Sequence, residues 1–370
     1  MESVDEASRR ILEANGFDEQ TFEGLRARLR RGEINEDTNR IRGQVRAPQA
    51  GDLRPLPAYR STVRAELVAE GREAIAAGEV GVAILAGGMA TRFGGIVKAA
   101  AEVLDGASFL DLKLADIAEL AADTGGRIPV YLMTSFATAA EIAAMAAAAT
   151  STNVPVKTFP QMVSLRVKPD GDLFLDREGK PSLYAPGHGD LPDALRQSGM
   201  LSDFVGGGGK YLMMSNVDNL GATVDPAIIA THQRSGSAMT VEVADKEPGV
   251  VGGAPARVDG KLEVVEGFRF PQSFDHDSIP YMSTNTFVFD AEALTDPCEL
   301  SWFAVNKKVD GVPAVQFERL VGEVSHFVST SVVHVPCQGH ESRFLPAKDP
   351  AELDRRRPVI RAMLSERGIL

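Results

Sequence analysis

The sequence predicts an α/β fold built on a mostly parallel sheet with helices on both faces. Short apolar runs alternate with helical segments from residue 80 to about residue 234, an order that is typical of parallel sheets. A glycine-rich loop follows the first apolar run, Val82 to Leu85, which is a common entry to a ligand site in such sheets. After Ser237 the pattern changes to strands separated by turns. We therefore expect an alternating core with an antiparallel extension.

Residues 1–79 are expected to form an N-terminal helical segment. Apolar residues recur at helical spacing up to Asn15 and Gly16, and again from Phe22 to Gly32. Residues 43–57 contain three prolines and are predicted to be a linker or an extended strap. A third helix near residues 60–77 leads into the first strand.

Residues 80–300 are expected to form the main α/β domain, and residues 301–370 a small C-terminal α+β region that packs on it. Asp170 and Gly171 indicate a hairpin that interrupts the alternation. The strands after Ser237 are expected to form one wall of a pocket. The predicted helices cover 108–120, 138–149, 191–197 and 226–234, and the predicted strands cover 82–85, 128–133, 154–159, 211–216, 239–244, 250–258, 262–266 and 286–289.

Composition excludes several classes of protein. The net charge of −12 argues against nonspecific binding to nucleic acid or to an anionic membrane. No apolar run is long enough to span a membrane, and the acidic start, MESVDEASRR, does not resemble a secretion signal, so we expect a cytoplasmic protein. Cys298 and Cys337 lack the spacing of metal ligands.

The loop after the first strand has the composition of a phosphate-binding loop. Its glycines let the backbone approach an anion, and its cations supply opposite charge. The spacing fits neither the dinucleotide fingerprint nor the Walker loop, and a tight turn of an ordinary α/β protein remains the alternative. The residues concerned are Gly87, Gly88, Gly94, Gly95, Arg92 and Lys98.

Three later clusters lie at predicted strand ends or in loops. Gln161 offers a donor and an acceptor that could read the edge of a base, or it could close a turn. His188 lies in an Ala-Pro-Gly-His-Gly-Asp turn and could donate to a phosphate or a sugar hydroxyl, although a helix cap would also explain the aspartate of that turn. Asp218 follows an apolar strand, where a carboxylate could hold magnesium (Mg²⁺) on a triphosphate; a plain turn would use the same residue types.

Several segments together resemble one family. GREAIAAGEVGVAILAGGMATRFG, FPQ, PGHGD, SNVDNLGATVD, VVEGF, STNTFVF, NKKVDG with VQFERLVGEV, and SRFLPAKDPAEL occur in the order found in the UDP-sugar pyrophosphorylases, which comprise the eukaryotic-type UDP-glucose and UDP-N-acetylhexosamine enzymes. The resemblance extends from about residue 71 to residue 353. It implies a Rossmann-like, three-layer nucleotidyltransferase fold of the GT-A-like type. It also implies a reaction in which an NTP and a sugar 1-phosphate give an NDP-sugar and pyrophosphate.

The resemblance also assigns roles to individual residues. The nucleotide would be held by Leu85, Ala86, Gly87, Gly88, Gln161 and Gly189. The phosphates would be held by Lys98, Arg92 and Lys308, and magnesium by Asp218. The sugar side would be held by His188, Asn216, Glu266 and Asn285. Such residues could support an in-line attack of the sugar phosphate oxygen on the α-phosphorus, which needs positioned cations and no general base.

Departures from the family pattern leave the substrates open. Ala90 and Val97 replace the usual glycine and proline of the loop, and the segment VVEGF lacks the usual tyrosine after Glu266. UTP with a glucose-1-phosphate-like substrate is the family default. GTP with a cyclitol (valienol-like) 1-phosphate of an antibiotic pathway is the alternative, and a non-catalytic nucleotide-sugar binder is the alternative of another class. The sequence does not indicate an oligomeric state.

Overall fold

A computed structural model describes residues 4–90, 95–247, 249–347 and 349–370 of the chain. The α-helices of these residues are α1 Glu6–Ala14, α2 Glu19–Arg30, α3 Thr62–Ala76, α4 Phe109–Thr124, α5 Ala139–Ala149, α6 Leu191–Gln197, α7 Met200–Gly206, α8 Pro226–Ser235, α9 Val324–Phe327 and α10 Pro350–Glu366. The strands are β1 Val45–Arg46, β2 Leu53–Pro55, β3 Val80–Leu85, β4 Met89–Ala90, β5 Ile96–Val97, β6 Glu102–Leu104, β7 Ala107–Ser108, β8 Val130–Thr134, β9 Val156–Pro160, β10 Ser164–Leu165, β11 Leu183–Tyr184, β12 Tyr211–Asn216, β13 Met239–Asp245, β14 Ala254–Val258, β15 Lys261–Val265, β16 Tyr281–Asp290, β17 Phe303–Val309, β18 Val312–Glu318 and β19 Thr330–His334.

An eight-stranded mixed sheet forms the centre of the molecule. Its strand order is β2-β19-β13-β16-β12-β3-β8-β9, and every neighbouring pair is parallel except the two pairs that involve β16. The register pairs Leu85 with Asn216 on one side and with Met133 on the other. The carboxyl ends of β3, β8 and β12 therefore meet at one edge of the sheet, where open α/β sheets bind ligands.

Apolar residues cover both faces of this sheet. One buried cluster joins the sheet to α3, α4, α5, α8 and α10, and a second joins it to α6 and α7. Local signals fix the helix ends: Ser108 and Asp111 form a reciprocal capping box at the start of α4, and Gly236 ends α8 in the left-handed conformation. The three-layer α/β fold predicted from the sequence is confirmed.

The strands after residue 237 differ from the expectation. β13 and β16 lie inside the central sheet rather than in an extension, because β16 pairs with both β12 and β13 and is buried along most of its second half. β14 and β15 lie outside it, where they form a small sheet with β1, and β17 and β18 pair with each other in a separate two-stranded sheet.

Three further details concern the segments around this sheet. The strap at residues 43–57 supplies β1 to the small sheet and β2 to an edge of the central sheet. The hairpin expected around Asp170 is reduced to single bridges, among them Val167 with Leu173, and helix α7 was not predicted. The division into three segments at residues 79 and 300 stays a prediction.

Among the helices of the described ranges, none combines the length and the apolar character that crossing a membrane requires.

Candidate active site

A cavity of about 350 Å³ opens at the carboxyl ends of the central strands. Its lining brings together most of the residues that were expected to bind the nucleotide, the phosphates and magnesium, and two of those expected on the sugar side. These are Leu85, Gly87, Gly88, Lys98, Gln161, His188, Asn216 and Asp218, with Met133, Ala185, Gly187 and Val217 beside them. Residues more than a hundred positions apart in the sequence thus share one concave surface.

The loop after β3 is shaped by its neighbours. The backbone N–H of Ala86 donates to the Met133 carbonyl oxygen at 2.9 Å and ties the loop to β8. A Cβ atom on Gly87 would lie 2.4 Å from Oε1 of Gln161, so the close approach of these two residues requires glycine. Gly88 is exposed, and its carbonyl oxygen accepts from the Lys98 backbone N–H at 3.1 Å. Arg92, which was predicted to contact the phosphates, lies outside the described residues.

Lys98 and Asp218 form an ion pair inside the cavity. Lys98 begins a short helical turn after β5, and Asp218 lies in the turn after β12. Their side chains are 20% and 14% exposed. The Lys98 ammonium group and the Asp218 carboxylate therefore face the same part of the cavity and neutralise each other. An anionic ligand could pair with Lys98 there, and the counter-ion of that ligand could pair with Asp218.

The donor set around Asp218 fits one type of metal site. Within the described residues no three side chains of the metal-binding types (histidine, cysteine, aspartate or glutamate) form a cluster suited to a metal ion. Mg²⁺ commonly takes only one or two carboxylates and completes its coordination with phosphate oxygens and water. The single carboxylate of Asp218 fits a divalent ion that arrives with a triphosphate.

His188 faces the cavity as a neutral hydrogen-bond donor. The backbone N–H of Val321 donates to Nδ1 of His188 at 3.0 Å, so Nε2 carries the proton. Burial lowers the pKa of His188 to about 4. The imidazole is therefore uncharged at neutral pH, and its remaining N–H can donate to an oxygen of a ligand.

Gly189, next to His188, is turned toward the protein. Its N–H donates to the Arg319 carbonyl oxygen at 3.0 Å, and a Cβ atom there would lie 2.4 Å from the backbone nitrogen of Leu320. This glycine therefore lets the histidine loop lie directly on the segment after β18, and it is not part of the cavity lining. A direct contact of Gly189 with a base stays a prediction.

A bulge in β16 brings Asn285 to Asn216, which lines the cavity, although Asn285 itself does not line it. The pairing with β13 shifts between Val241 and Val243, and Asn285 adopts a φ of 56°, which is rare for a residue other than glycine. The Asn285 side-chain amide nitrogen donates to the Asn216 amide oxygen at 3.0 Å. Local strain of this kind is often found at functional sites.

Glu266 is placed beside the same strand by a backbone link. A Cβ atom on Gly253 would lie 3.1 Å from Oε1 of Glu266, so the carboxylate lies against this glycine. The Gly253 carbonyl oxygen accepts from the Ser283 N–H at 2.7 Å, two residues before Asn285. Burial raises the pKa of Glu266, with Arg269 opposing the shift. Glu266 does not line the 350 Å³ cavity.

Lys308 is separate from these residues. It is exposed near the tip of the β17–β18 hairpin, opposite Pro313, and does not line the cavity. Its expected contact with the phosphates stays a prediction.

Comparisons with known proteins identify the family of the chain. Residues 37–354 match the model of the family described as UTP–glucose-1-phosphate uridylyltransferase. The chain belongs to this family. The enzyme of that name from Astragalus penduliflorus is 30% identical over 285 residues, which are 73% of this chain and 60% of the relative. The chain thus spans about 60% of the length of such curated relatives.

Solved structures show the same fold at lower identity. The UDP-N-acetylglucosamine pyrophosphorylase from Trypanosoma brucei has a TM-score of 0.75 at 18% identity, covering 95% of this chain and 79% of that one. A variant of the UDP-glucose pyrophosphorylase from Leishmania major, in complex with UDP-glucose, has a TM-score of 0.70 at 23% identity, covering 95% of this chain and 78% of that one.

Sequence reasoning missed Arg319, which holds the histidine loop. Its guanidinium donates to Asp190 at 2.7 and 3.1 Å and to Asp193 at 2.6 Å, and it stacks on Trp302 at 4.8 Å. Burial raises the pKa of Asp190 to about 6, although Arg319 opposes the shift. No local pattern around Arg319 indicates partners more than a hundred residues away.

Sequence reasoning also missed Lys113, a buried lysine of α4. It lies three and four residues from Leu110 and Ile117, which are both buried. A lysine on the apolar stripe of a helix is unusual and was a signal in the sequence that this residue has a polar partner inside the protein.

Proposed function

We propose that this chain is a sugar-1-phosphate nucleotidyltransferase, which joins an NTP and a sugar 1-phosphate to give an NDP-sugar and pyrophosphate. The observation that carries this proposal is the single cavity that contains the glycine loop, Gln161, His188, Lys98 and Asp218. Family membership and the reaction named for the relatives support it. UTP and a glucose-1-phosphate-like substrate are the default pair.

The chemistry requires charge compensation more than proton transfer. A phosphate oxygen of the sugar 1-phosphate attacks the α-phosphorus of the NTP, and the bond between the α-phosphorus and the bridging oxygen breaks. Pyrophosphate leaves with the bonding electrons. The nucleophile is already an anion, so no general base is needed, and the barrier lies in bringing anions together and in the charge of the transition state.

Each cavity residue has a role that fits this chemistry. Lys98 would exchange its partner Asp218 for phosphate oxygens and stabilise negative charge as it develops. His188 would donate from Nε2 to an oxygen of the sugar phosphate, without changing its own protonation. Gln161, held against Gly87, would face the edge of the base.

Asp218 would hold the divalent cation, for which we propose magnesium. When bound, such an ion neutralises phosphate charge and polarises the phosphorus–oxygen bonds. Asp218 would then no longer need Lys98 as its partner, and the cation of Lys98 would become available to the substrates.

The hydroxyl groups of the sugar would lie near Asn216, Asn285 and Glu266. The two amides offer donors and acceptors, and the carboxylate of Glu266 has no hydrogen-bond partner among the described residues. A carboxylate of this kind can accept from two neighbouring hydroxyl groups.

A substrate panel tests the proposal. Each of the four NTPs is combined with Mg²⁺ and with glucose 1-phosphate, N-acetylglucosamine 1-phosphate or a cyclitol 1-phosphate, and pyrophosphate release is measured. We expect release with one preferred pair, and none from the Asp218→Asn protein under the same conditions. No release with any pair, together with measurable binding of UDP-glucose, would favour the non-catalytic binder.

A further inference from the structure

The buried ammonium group of Lys113 joins the two ends of one turn. Its Nζ donates to the Ser215 hydroxyl oxygen at 2.7 Å and to the Ala222 carbonyl oxygen at 2.7 Å. Between these acceptors lies the Asp218 turn, residues 216–221, which carries Asn216 and Asp218. Lys113 itself is only 4% exposed and does not line the cavity.

A second segment holds the Asp218 turn from another direction. The Asn219 side chain donates to the Arg343 carbonyl oxygen at 3.1 Å and accepts from the Leu345 N–H at 2.8 Å. A Cβ atom on Gly221 would lie 2.6 Å from the Ser342 carbonyl oxygen. With Lys113, these contacts bury the turn and leave only Asn216, Asp218 and part of the backbone accessible to a ligand.

The burial of Lys113 is unfavourable, so its presence needs a reason. Burial lowers the pKa of Lys113 to about 7, although Asp116 and Asp218 oppose the shift. An apolar side chain would match the neighbours on this face of α4, since Leu110, Leu114 and Ile117 are buried on it, but it would leave Ser215 and Ala222 without this donor. Residues kept at a cost in stability often serve the functional site.

We propose that Lys113 is a positioning residue, which fixes the Asp218 turn so that Asp218 and Asn216 meet the phosphates and the sugar correctly. It does so without touching the substrate. This inference rests on the proposed nucleotidyltransferase function. A misplacement of about 1 Å at such a turn is enough to slow a reaction by roughly 10²-fold.

The test compares Lys113→Met with Lys210→Met. Lys210, the residue before β12, forms an ion pair with Glu79 at the end of that strand opposite to Ser215, so it is a control lysine away from the Asp218 turn. In the unliganded Lys113→Met protein, we expect amide hydrogen exchange in residues 216–222 to rise at least tenfold. The melting temperature should stay within a few degrees of the wild type, since methionine fills the same space. The kcat should fall about 10- to 100-fold with KM changed less than threefold, and the control should match the wild type in every measurement.

Ser215→Ala provides a second route if Lys113→Met does not fold. This variant keeps the lysine and removes one acceptor, so we expect a smaller loss of kcat, and the double variant should lose little more than Lys113→Met alone. Unchanged exchange in residues 216–222 and an unchanged kcat in Lys113→Met, or in Ser215→Ala if it is the variant used, would overturn the positioning role. A wild-type protein without turnover would overturn the proposed function instead, and the exchange measurement would still decide whether Lys113 holds the turn.

Discussion

Two ion pairs lie on opposite sides of the Asp218 turn, and they differ in burial and in partners. Lys98 and Asp218 face the cavity, with side chains 20% and 14% exposed. Behind the turn, Arg343 and Glu242 are 3% and 1% exposed and share two hydrogen bonds of 2.6 Å. Lys98 and Asp218, the front pair, can each exchange the other for a ligand. Arg343 and Glu242, the rear pair, are enclosed by protein and can only stabilise the structure.

The difference separates groups that react from groups that support them. Arg343 also donates to the Thr223 carbonyl oxygen at 3.0 Å, so the rear pair joins β13 to the segment that follows the Asp218 turn. A buried pair of this kind contributes little net stability compared with apolar residues, but removal of one partner is costly. The front pair should therefore control turnover, and the rear pair should control folding.

The largest effect is expected for Asp218→Asn. This substitution keeps the size of the side chain and removes the charge that would hold the divalent cation. Turnover should fall by about 10³-fold or more, because the phosphates would lose charge compensation. Pyrophosphate release against Mg²⁺ concentration measures this effect, and the melting temperature serves as the control. A variant that retains wild-type turnover would remove Asp218 as the metal ligand.

Arg343→Met should affect stability instead. It leaves the Glu242 carboxylate buried without its partner, which typically costs about 3–5 kcal/mol. Urea unfolding should show this loss, and the double variant Arg343→Met with Glu242→Leu should recover much of it. A decrease in the free energy of unfolding of less than about 1 kcal/mol, which is the range of an exposed pair, would mean that the rear pair does not control folding.

The next largest effect is expected for Lys98→Met. The kcat should fall about 10²-fold, with a smaller change in KM for the sugar phosphate, because the charge of Lys98 matters most as negative charge develops in the transition state. Steady-state kinetics at saturating NTP measures the changes in kcat and in KM separately, and Lys98→Arg provides the control that keeps the cation. An effect confined to KM would mean that Lys98 only binds the ground state.

Much of the fold and part of the site follow from local signals in the sequence. The strand Tyr211–Asn216 and the helix Leu191–Gln197 were predicted with the bounds observed. The strand is a largely apolar run, and the helix has Pro192 in its first turn and is followed by Gly199. The cavity residues Lys98, Gln161, His188 and Asp218 lie at strand ends or glycine turns, which are visible as short motifs.

The remaining features depend on contacts between distant parts of the chain. The place of β16 between β12 and β13 is set by pairing across the sheet and not by its own sequence. The positive φ of Asn285 follows from the bulge that this pairing produces. Arg319 meets Asp190 only because the histidine loop folds onto the segment after β18. These contacts join residues that are far apart in the chain, so no short stretch of the sequence predicts them.

The smallest effect is expected for His188, whose neutrality distinguishes it from both ion pairs. Its pKa of about 4 in the folded protein lies below the ordinary value of 6.5 because of burial. The unfolded chain therefore binds the proton more readily between these values, so the contribution of His188 to stability is constant above pH 6.5 and falls as the pH decreases from 6.5 to about 4.

His188→Gln tests this assignment because glutamine keeps a neutral N–H donor. We expect kcat/KM to fall about 3- to 10-fold, because the glutamine N–H lies away from the position of Nε2, at a cost of up to about one well-placed hydrogen bond. The ratio of wild-type to variant kcat/KM should not change between pH 5.5 and 8, since His188 does not titrate there. Other groups, such as the substrate phosphate and Lys113, can titrate in this range, but they affect both proteins and cancel in the ratio. A ratio that changes with an apparent pKa between 6 and 7 would show that His188 carries a charge during the reaction, and it would place this residue with Lys98 among the charged groups of the cavity.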